Sequence, residues 1–364
     1  MPFTPTFSFT QLGGIAKGLA LLCFSLVTMP VTAIAQEVKS NIPVDTLLQL
    51  IKSQSVHRGL VQWDELEPTI KAQLNKASTE NETLGVFVDL FGQMNDVHSA
   101  IYYNNRQFGY YKGVDEQTAR LLRPLINLQK AQSGKVKASL QANKYGYVLI
   151  PTIHAAGSDQ INQYAQRIQD EICRIGTDKP RGWIIDLRLN GGGNMLPMLA
   201  GLSNLLGDGV VGGSVDANDT LIRKWSLNNS DLYLDEGQAT AIRNRCGASY
   251  VHAPVVVLIG PVTISSGAAT AIAFKHRPNT YFIGEPTAEG YTTANDYIWI
   301  NEGLALNLAT SYMADRKGVP YKSQVLPDLS ITGGDFFENL AEDLKFKAAL
   351  EWLNEKRSAT SKHD

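Results

Sequence analysis

The stretch Val255-Val256-Val257-Leu258-Ile259-Gly260-Pro261-Val262-Thr263-Ile264-Ser265-Ser266-Gly267-Ala268-Ala269-Thr270 reads as a strand, a turn and a helix in quick succession. Five apolar residues between Pro254 and Gly260 fit a strand covered on both faces, as in a parallel sheet. The small residues from Ala268 onward let a helix lie close against that sheet. Two readings of the turn are open. A serine there is well placed as a nucleophile, with the following amide at the helix start available to an oxyanion. Alternatively, Ser265 or Ser266 only caps the helix.

Working outward, the same alternation recurs. Residues 145–150 predict a strand and 159–175 a helix. Residues 183–188 predict a strand that runs into Asn190-Gly191-Gly192-Gly193 and a helix over 195–206. After the serine turn, residues 281–283 predict another strand. Repeated strand–helix units imply an α/β fold with a largely parallel sheet and right-handed crossovers. Residues 297–300 and 304–310 flank Asn301-Glu302-Gly303, a hairpin signal. Residues 210–249 break the rhythm with polar sequence and suggest a surface excursion near the site. Upstream, apolar residues at helical spacing over 42–57, 63–76 and 80–94 predict a small helical subdomain. Its last helix ends near Asn95, which places His98, in Asp96-Val97-His98-Ser99, at a helix-to-strand junction. Residues 116–132 look helical until Pro124 interrupts them, and an amphipathic helix is expected from 335 to about 356.

Composition narrows the partners. Thirty-three basic against 35 acidic residues give a net charge of −2, with no basic stripe, so nucleic acid is not expected as a partner. Residues 1–35 carry only Lys17 as a charge, an apolar run over 18–27 and Ala33-Ile34-Ala35 before Gln36. That is the layout of a secretory signal peptide, too short in its apolar part to span a membrane. The expected location is therefore exported, periplasmic or secreted, with no membrane span in the mature chain. Cys173 and Cys246 then remain, either as a disulfide, which an oxidising compartment permits, or as two separate buried thiols. The scattered histidines and the absence of CxxC give no zinc-ligand spacing, and no cofactor is expected.

Three separated elements supply complementary chemistry. Ser265 offers a hydroxyl, inert near neutral pH without a base. His98 is the natural base. The glycines at 191–193 offer backbone N–H groups at a strand-to-helix turn, as an anion or oxyanion site requires. The run Asp186-Leu187-Arg188-Leu189-Asn190-Gly191-Gly192-Gly193 resembles the DLRxNxGG signature of the tail-specific, or C-terminal processing, serine peptidases. These are relatives of the tricorn core protease and of interphotoreceptor retinoid-binding protein. Thr263-Ile264-Ser265-Ser266-Gly267 resembles their nucleophile turn, Gly284-Glu285-Pro286-Thr287 their GEPT, and Val325-Leu326-Pro327-Asp328 their VxPD, all in the family's order over about residues 145–329.

The resemblance implies a crotonase-like (ClpP-like) α/β superhelix with an N-terminal helical subdomain. It implies Ser265 as nucleophile, with the amides of Ser266 and Gly192 as oxyanion donors and Gly193 as a further possibility. Asp186 and Arg188 read as a structural ion pair. The family's lysine base would fall at Gly290, and no lysine follows until Lys317, so a Ser–Lys dyad is not expected. Asp96-Val97-His98-Ser99 instead resembles the DxHS of the histidine-base branch without a PDZ domain. The glutamate of the tricorn branch is missing, so the group that orients His98 is open among Asp96, Ser99, Thr293 and Asn295, with turn or strand structure as the simpler role for each.

The expected organisation is a signal peptide at 1–35, a helical subdomain at 36–103, a connection at 104–144, a peptidase core at 145–332 and a C-terminal helix and tail at 333–364. The expected function is an exported serine-type peptidase acting on a peptide or protein through an acyl-enzyme. The alternative is a silent relative that binds a hydrophobic ligand or peptide. An acyl-CoA enzyme on the same fold is weaker, because an exported protein meets little CoA.

Overall fold

A computed structural model describes residues 42–246 and 249–360. The signal-peptide reading falls on residues outside that set. Three helices come first: α1 (Val44–Gln54), α2 (Trp63–Lys76) and α3 (Glu80–Gln93). The α3 start is a capping box. Thr79 Oγ1 accepts from the Glu82 N–H at 3.2 Å and Glu82 Oε2 accepts from the Thr79 N–H at 3.1 Å, so two orphan donors are satisfied reciprocally. Leu84, Phe87, Leu90, Phe91 and Met94 form its buried face, and pack on Leu47, Leu48 and Ile51 of α1 and on Leu304, Leu306 and Leu308.

The hairpin β1 (Ala100–Tyr103) and β2 (Arg106–Gly109) follows, then α4 (Glu116–Gln132). The interruption expected at Pro124 does not occur. Proline removes one i→i−4 bond, but Pro124 and Arg120 are both exposed, so water can take up the freed carbonyl.

The alternating core comprises β3 (Lys137–Gln141), β4 (Tyr145–Leu149), α5 (Gly157–Gly176), β5 (Trp183–Asp186), α6 (Met195–Gly201) and α7 (Ser203–Leu206). It resumes with β10 (Val255–Ile259), α8 (Ser266–Phe274) and β11 (Thr280–Gly284), after β6 (Gly209–Val215), β7 (Leu221–Asn228), β8 (Asp231–Leu234) and β9 (Gly237–Gln238). Then come β12 (Thr293–Asn301), β13 (Leu304–Asp315), β14 (Leu329–Ser330) and α9 (Leu344–Thr360). One sheet has the order β14-β11-β10-β5-β4-β3, parallel throughout except for the β3–β4 pair. All five residues of β10 are buried, because α8 covers one face and α9 the other. This is a mixed α/β protein.

The polar segment read as a surface excursion carries regular structure over residues 209–238. Those residues form the antiparallel meander β6–β9, joined through β6 to the long strand β13 in a second sheet that also holds β1, β2 and β12. Cys173 on α5 and Cys246 after the meander are joined by a disulfide.

The C-terminal helix begins at Leu344 rather than 335. Asp343 Oδ1 accepts from the Phe346 N–H at 2.9 Å and so caps α9, while its Oδ2 and Asp335 Oδ1 each accept from Arg188 at 2.7 Å. Those inward carboxylates hold the preceding residues in turns. Among the described residues, no helix is long and apolar enough to cross a membrane.

Candidate active site

Ser265 lies between the C-terminal end of β10 and the first residue of α8, with φ 54° and ψ −116°. A non-glycine residue held at positive φ costs on the order of 1–3 kcal/mol and persists only where its surroundings impose it. Here they do. The Thr263 hydroxyl donates to Leu187 O at 2.9 Å and accepts from the Gly260 N–H at 3.0 Å, and the Ile264 N–H donates to Asn190 O at 2.9 Å. The turn is thus stapled to the end of the neighbouring strand, β5.

His98 follows α3 through a Schellman motif at that helix's C-terminal end. The Asp96 N–H bonds Phe91 O at 2.8 Å and the Asn95 N–H bonds Gly92 O at 3.0 Å, with Asn95 at φ 51°. Asp96 then folds back: its Oδ1 accepts from the N–H groups of His98 at 3.1 Å and Ser99 at 2.9 Å, and its Oδ2 from the Ser99 hydroxyl at 2.5 Å. Asp96 and Ser99 therefore shape the backbone under His98, and neither hydrogen-bonds the ring.

The His98 Nε2 lies 3.0 Å from Ser265 Oγ. On its other side Nδ1 lies 2.7 Å from Thr293 Oγ1. The ring also meets Tyr291 edge-on, with centroids 5.1 Å apart. The surrounding protein desolvates the imidazole and lowers its pKa to about 4; His57 acts in the same direction, and Asp96 opposes it.

The glycine turn closes against the serine. Gly192 has φ +99°, and a Cβ there would lie 2.9 Å from Ser265 Cβ; Gly193 has φ +102°, and a Cβ there would lie 2.2 Å from Ile153 O. Gly192, the glycine expected from the sequence as the second oxyanion donor, has its N–H turned to a neighbouring side chain. Asn190 makes an Asx turn in which its Oδ1 accepts the Gly192 N–H at 3.0 Å, so that amide is engaged. The Gly193 N–H makes no hydrogen bond to the described residues, and Gly193 lines the cleft. The same holds for the Ser266 N–H at the start of α8. The Ser266 hydroxyl donates to Gly193 O at 2.9 Å, which fixes the two amides relative to each other and leaves Ser265 as the free hydroxyl beside the imidazole.

His98, Ser265, Ser266 and Gly193 line a cleft of about 970 Å³. It is also lined by Ile222, Arg223, Trp225 and Leu234 of the meander and by residues 293–297 of β12. At Gly290, where the resemblance puts a lysine, φ is +83° and a Cβ would lie 2.6 Å from Val97 Cγ2. The residue before His98 thus fills the space a side chain at 290 would need.

Residues 144–331 match Peptidase family S41, and the chain belongs to that family. Over 222 residues the chain is 32% identical to the nisin-resistance protein of Lactococcus lactis subsp. lactis, covering 60% of this chain and 63% of that protein's length. The fold is similar to a lipoprotein from Streptococcus agalactiae (TM-score 0.63, 22% identity, 86% of this chain and 95% of the other). It is also similar to the photosystem II D1 C-terminal processing protease (TM-score 0.51, 14% identity, 84% and 96%).

Proposed function

We propose that the chain is an exported serine-type peptidase that hydrolyses peptide bonds through a Ser265–His98 pair on a crotonase-like core. The observation that carries this reading is the 3.0 Å contact between His98 Nε2 and Ser265 Oγ, at a turn held in positive φ and followed by a helix N-terminus. Nε2 takes the Ser265 proton as Oγ attacks the scissile carbonyl. The resulting oxyanion accepts from the Ser266 and Gly193 N–H groups, where developing charge meets fixed dipoles. The protonated His98 then gives its proton to the departing amine, and water repeats the sequence on the acyl-enzyme. Among the described residues β12 pairs only with β13, and β12 residues line the cleft, which supports a peptide docking as an added strand beside the site. The leader-like residues 1–35 and the Cys173–Cys246 disulfide support export.

The lowered pKa of His98 sets a testable pH dependence. A depressed histidine pKa means the neutral, proton-accepting form survives acidification below the ordinary value of 6.5. The acid limb of kcat/KM for a peptide substrate is expected near pH 4. A limb at about 6.5 or above, the range of an ordinary histidine, would exclude His98 in this environment as the titrating base.

A further inference from the structure

The geometry assigns Thr293 and Asn295 as a neutral relay that fixes the tautomer and orientation of His98, in the place where serine hydrolases commonly put a carboxylate. The inference deepens the peptidase reading and rests on it for its kinetic arm alone.

The backbone carbonyl of His98 can only accept. Asn295 Nδ2 lies 3.0 Å from it, and Asn307 Nδ2 3.4 Å, so Asn295 must present its NH2 there and its Oδ1 elsewhere. Asn295 Oδ1 lies 2.9 Å from Thr293 Oγ1 and can only accept, so the single Thr293 proton goes to Asn295. Thr293 Oγ1 is then left with acceptor capacity alone toward His98 Nδ1, 2.7 Å away, and that nitrogen must carry the ring proton. Nε2 is consequently the unprotonated nitrogen, and it is the one that faces Ser265 Oγ. Every hydrogen-bond role follows from one carbonyl, and both side chains come from successive same-side positions on β12. Thr293 is buried, and β13 fixes its strand by pairing Thr293 with Tyr312. The acidic group nearest in sequence, Asp96, has both carboxylate oxygens engaged by His98 and Ser99 as described, so it does not compete for Nδ1.

A hydroxyl–amide relay orients the imidazole but offers no charge to the imidazolium. Its loss should therefore cost less than the roughly 10⁴-fold penalty of a triad aspartate replaced by asparagine. Thr293→Val keeps the side-chain shape and removes the acceptor. It is expected to lower kcat by about 10- to 100-fold with KM little changed, within the range of general-base contributions, and Thr293→Ser to restore most of the rate. The deciding measurement is the ¹⁵N chemical shifts of the His98 ring at neutral pH, in protein labelled at histidine. The wild type should show a protonated Nδ1 and an unprotonated Nε2, and Thr293→Val should lose that preference while remaining folded. A wild-type ring protonated on Nε2, or an unchanged tautomer in Thr293→Val, overturns the assignment whatever the rates. A wild-type protein without peptidase turnover overturns the functional reading instead, and the ring shifts still decide the relay.

Discussion

Ser265→Ala is expected to abolish peptide hydrolysis, with kcat/KM falling by at least about 10⁴-fold, while the fold is kept. The size follows from the loss of the nucleophile in a unit that acts together, where removing one member costs nearly as much as removing all. The fold should survive because Ser265 Oγ makes its side-chain contact to His98, whereas the turn is held by Thr263, Asn190 and the backbone. Ser266→Ala is the matched control. It removes a hydroxyl that ties Gly193 O but keeps the Ser266 amide, so the loss should stay within about 10- to 100-fold, as for a loosened oxyanion donor. Steady-state kinetics on both variants, with thermal unfolding to confirm folding, separate the roles. Comparable losses in the two would mean the wrong serine has been assigned.

The second large effect concerns stability. The Asp186 and Arg188 of the signature anchor the C-terminal segment. Arg188 is 2% exposed and bonds Asp186 (Nη2–Oδ2 2.6 Å), Asp335 and Asp343 (2.7 Å each). The Tyr147 hydroxyl adds a bond to Asp186 at 2.9 Å, and Phe337 lies over the guanidinium at 4.4 Å. Lys345, 0% exposed, continues the network to Glu285 at 2.6 Å and Asp335 at 2.8 Å. Glu285 is the acid of the Gly284-Glu285-Pro286-Thr287 motif, so the network ties β5, the end of β11 and α9 together. Removing one partner of a buried ion pair leaves charge uncompensated, at a cost of about 3–5 kcal/mol. Lys345→Met should lower stability by that amount in urea unfolding, with Arg188→Met at least as damaging. An exposed pair such as Lys322–Asp219 should give about 1 kcal/mol or less when broken. A Lys345→Met protein within about 1 kcal/mol of the wild type would remove the network from the account of what holds α9 in place.

Much of this architecture is legible in the sequence where one physical signal dominates. The strands β4, β5, β10 and β11 are buried apolar runs, and the helices α1, α2 and α3 show a plain 3.6-residue period. Legibility fails where a second signal competes. The meander β6–β9 is masked because β6 is glycine-rich and β7 is largely exposed, so neither an apolar run nor clean alternation shows. The start of α9 shifts because Asp335 and Asp343 look like surface helix residues until Arg188 and Lys345 are known to lie beneath them. Pro124 looks like a break because sequence does not reveal that its turn of α4 faces water.

The site divides the same way. The placement of His98 against Ser265, 167 residues away in the chain, is recoverable from the motifs because each sits at the end of a recognisable element. The partners of Nδ1 are not. Thr293 and Asn295 are ordinary strand residues, and only the pairing of β12 with β13 and the approach of α3 bring them to the ring. Gly192 and Gly193 differ by one position, and the choice between them turns on which way the Asn190 side chain folds. An Asn two residues before the glycine is the signal that would have pointed to it.

The most direct test of the central claim is covalent. A fluorophosphonate probe reacts with a serine only when a base and an oxyanion site are in place. Incubated with the folded protein and mapped by mass spectrometry, it should give a single adduct on Ser265, absent in Ser265→Ala and strongly slowed in His98→Ala. An unlabelled wild-type protein, an adduct on Ser266, or full labelling of His98→Ala would contradict the account.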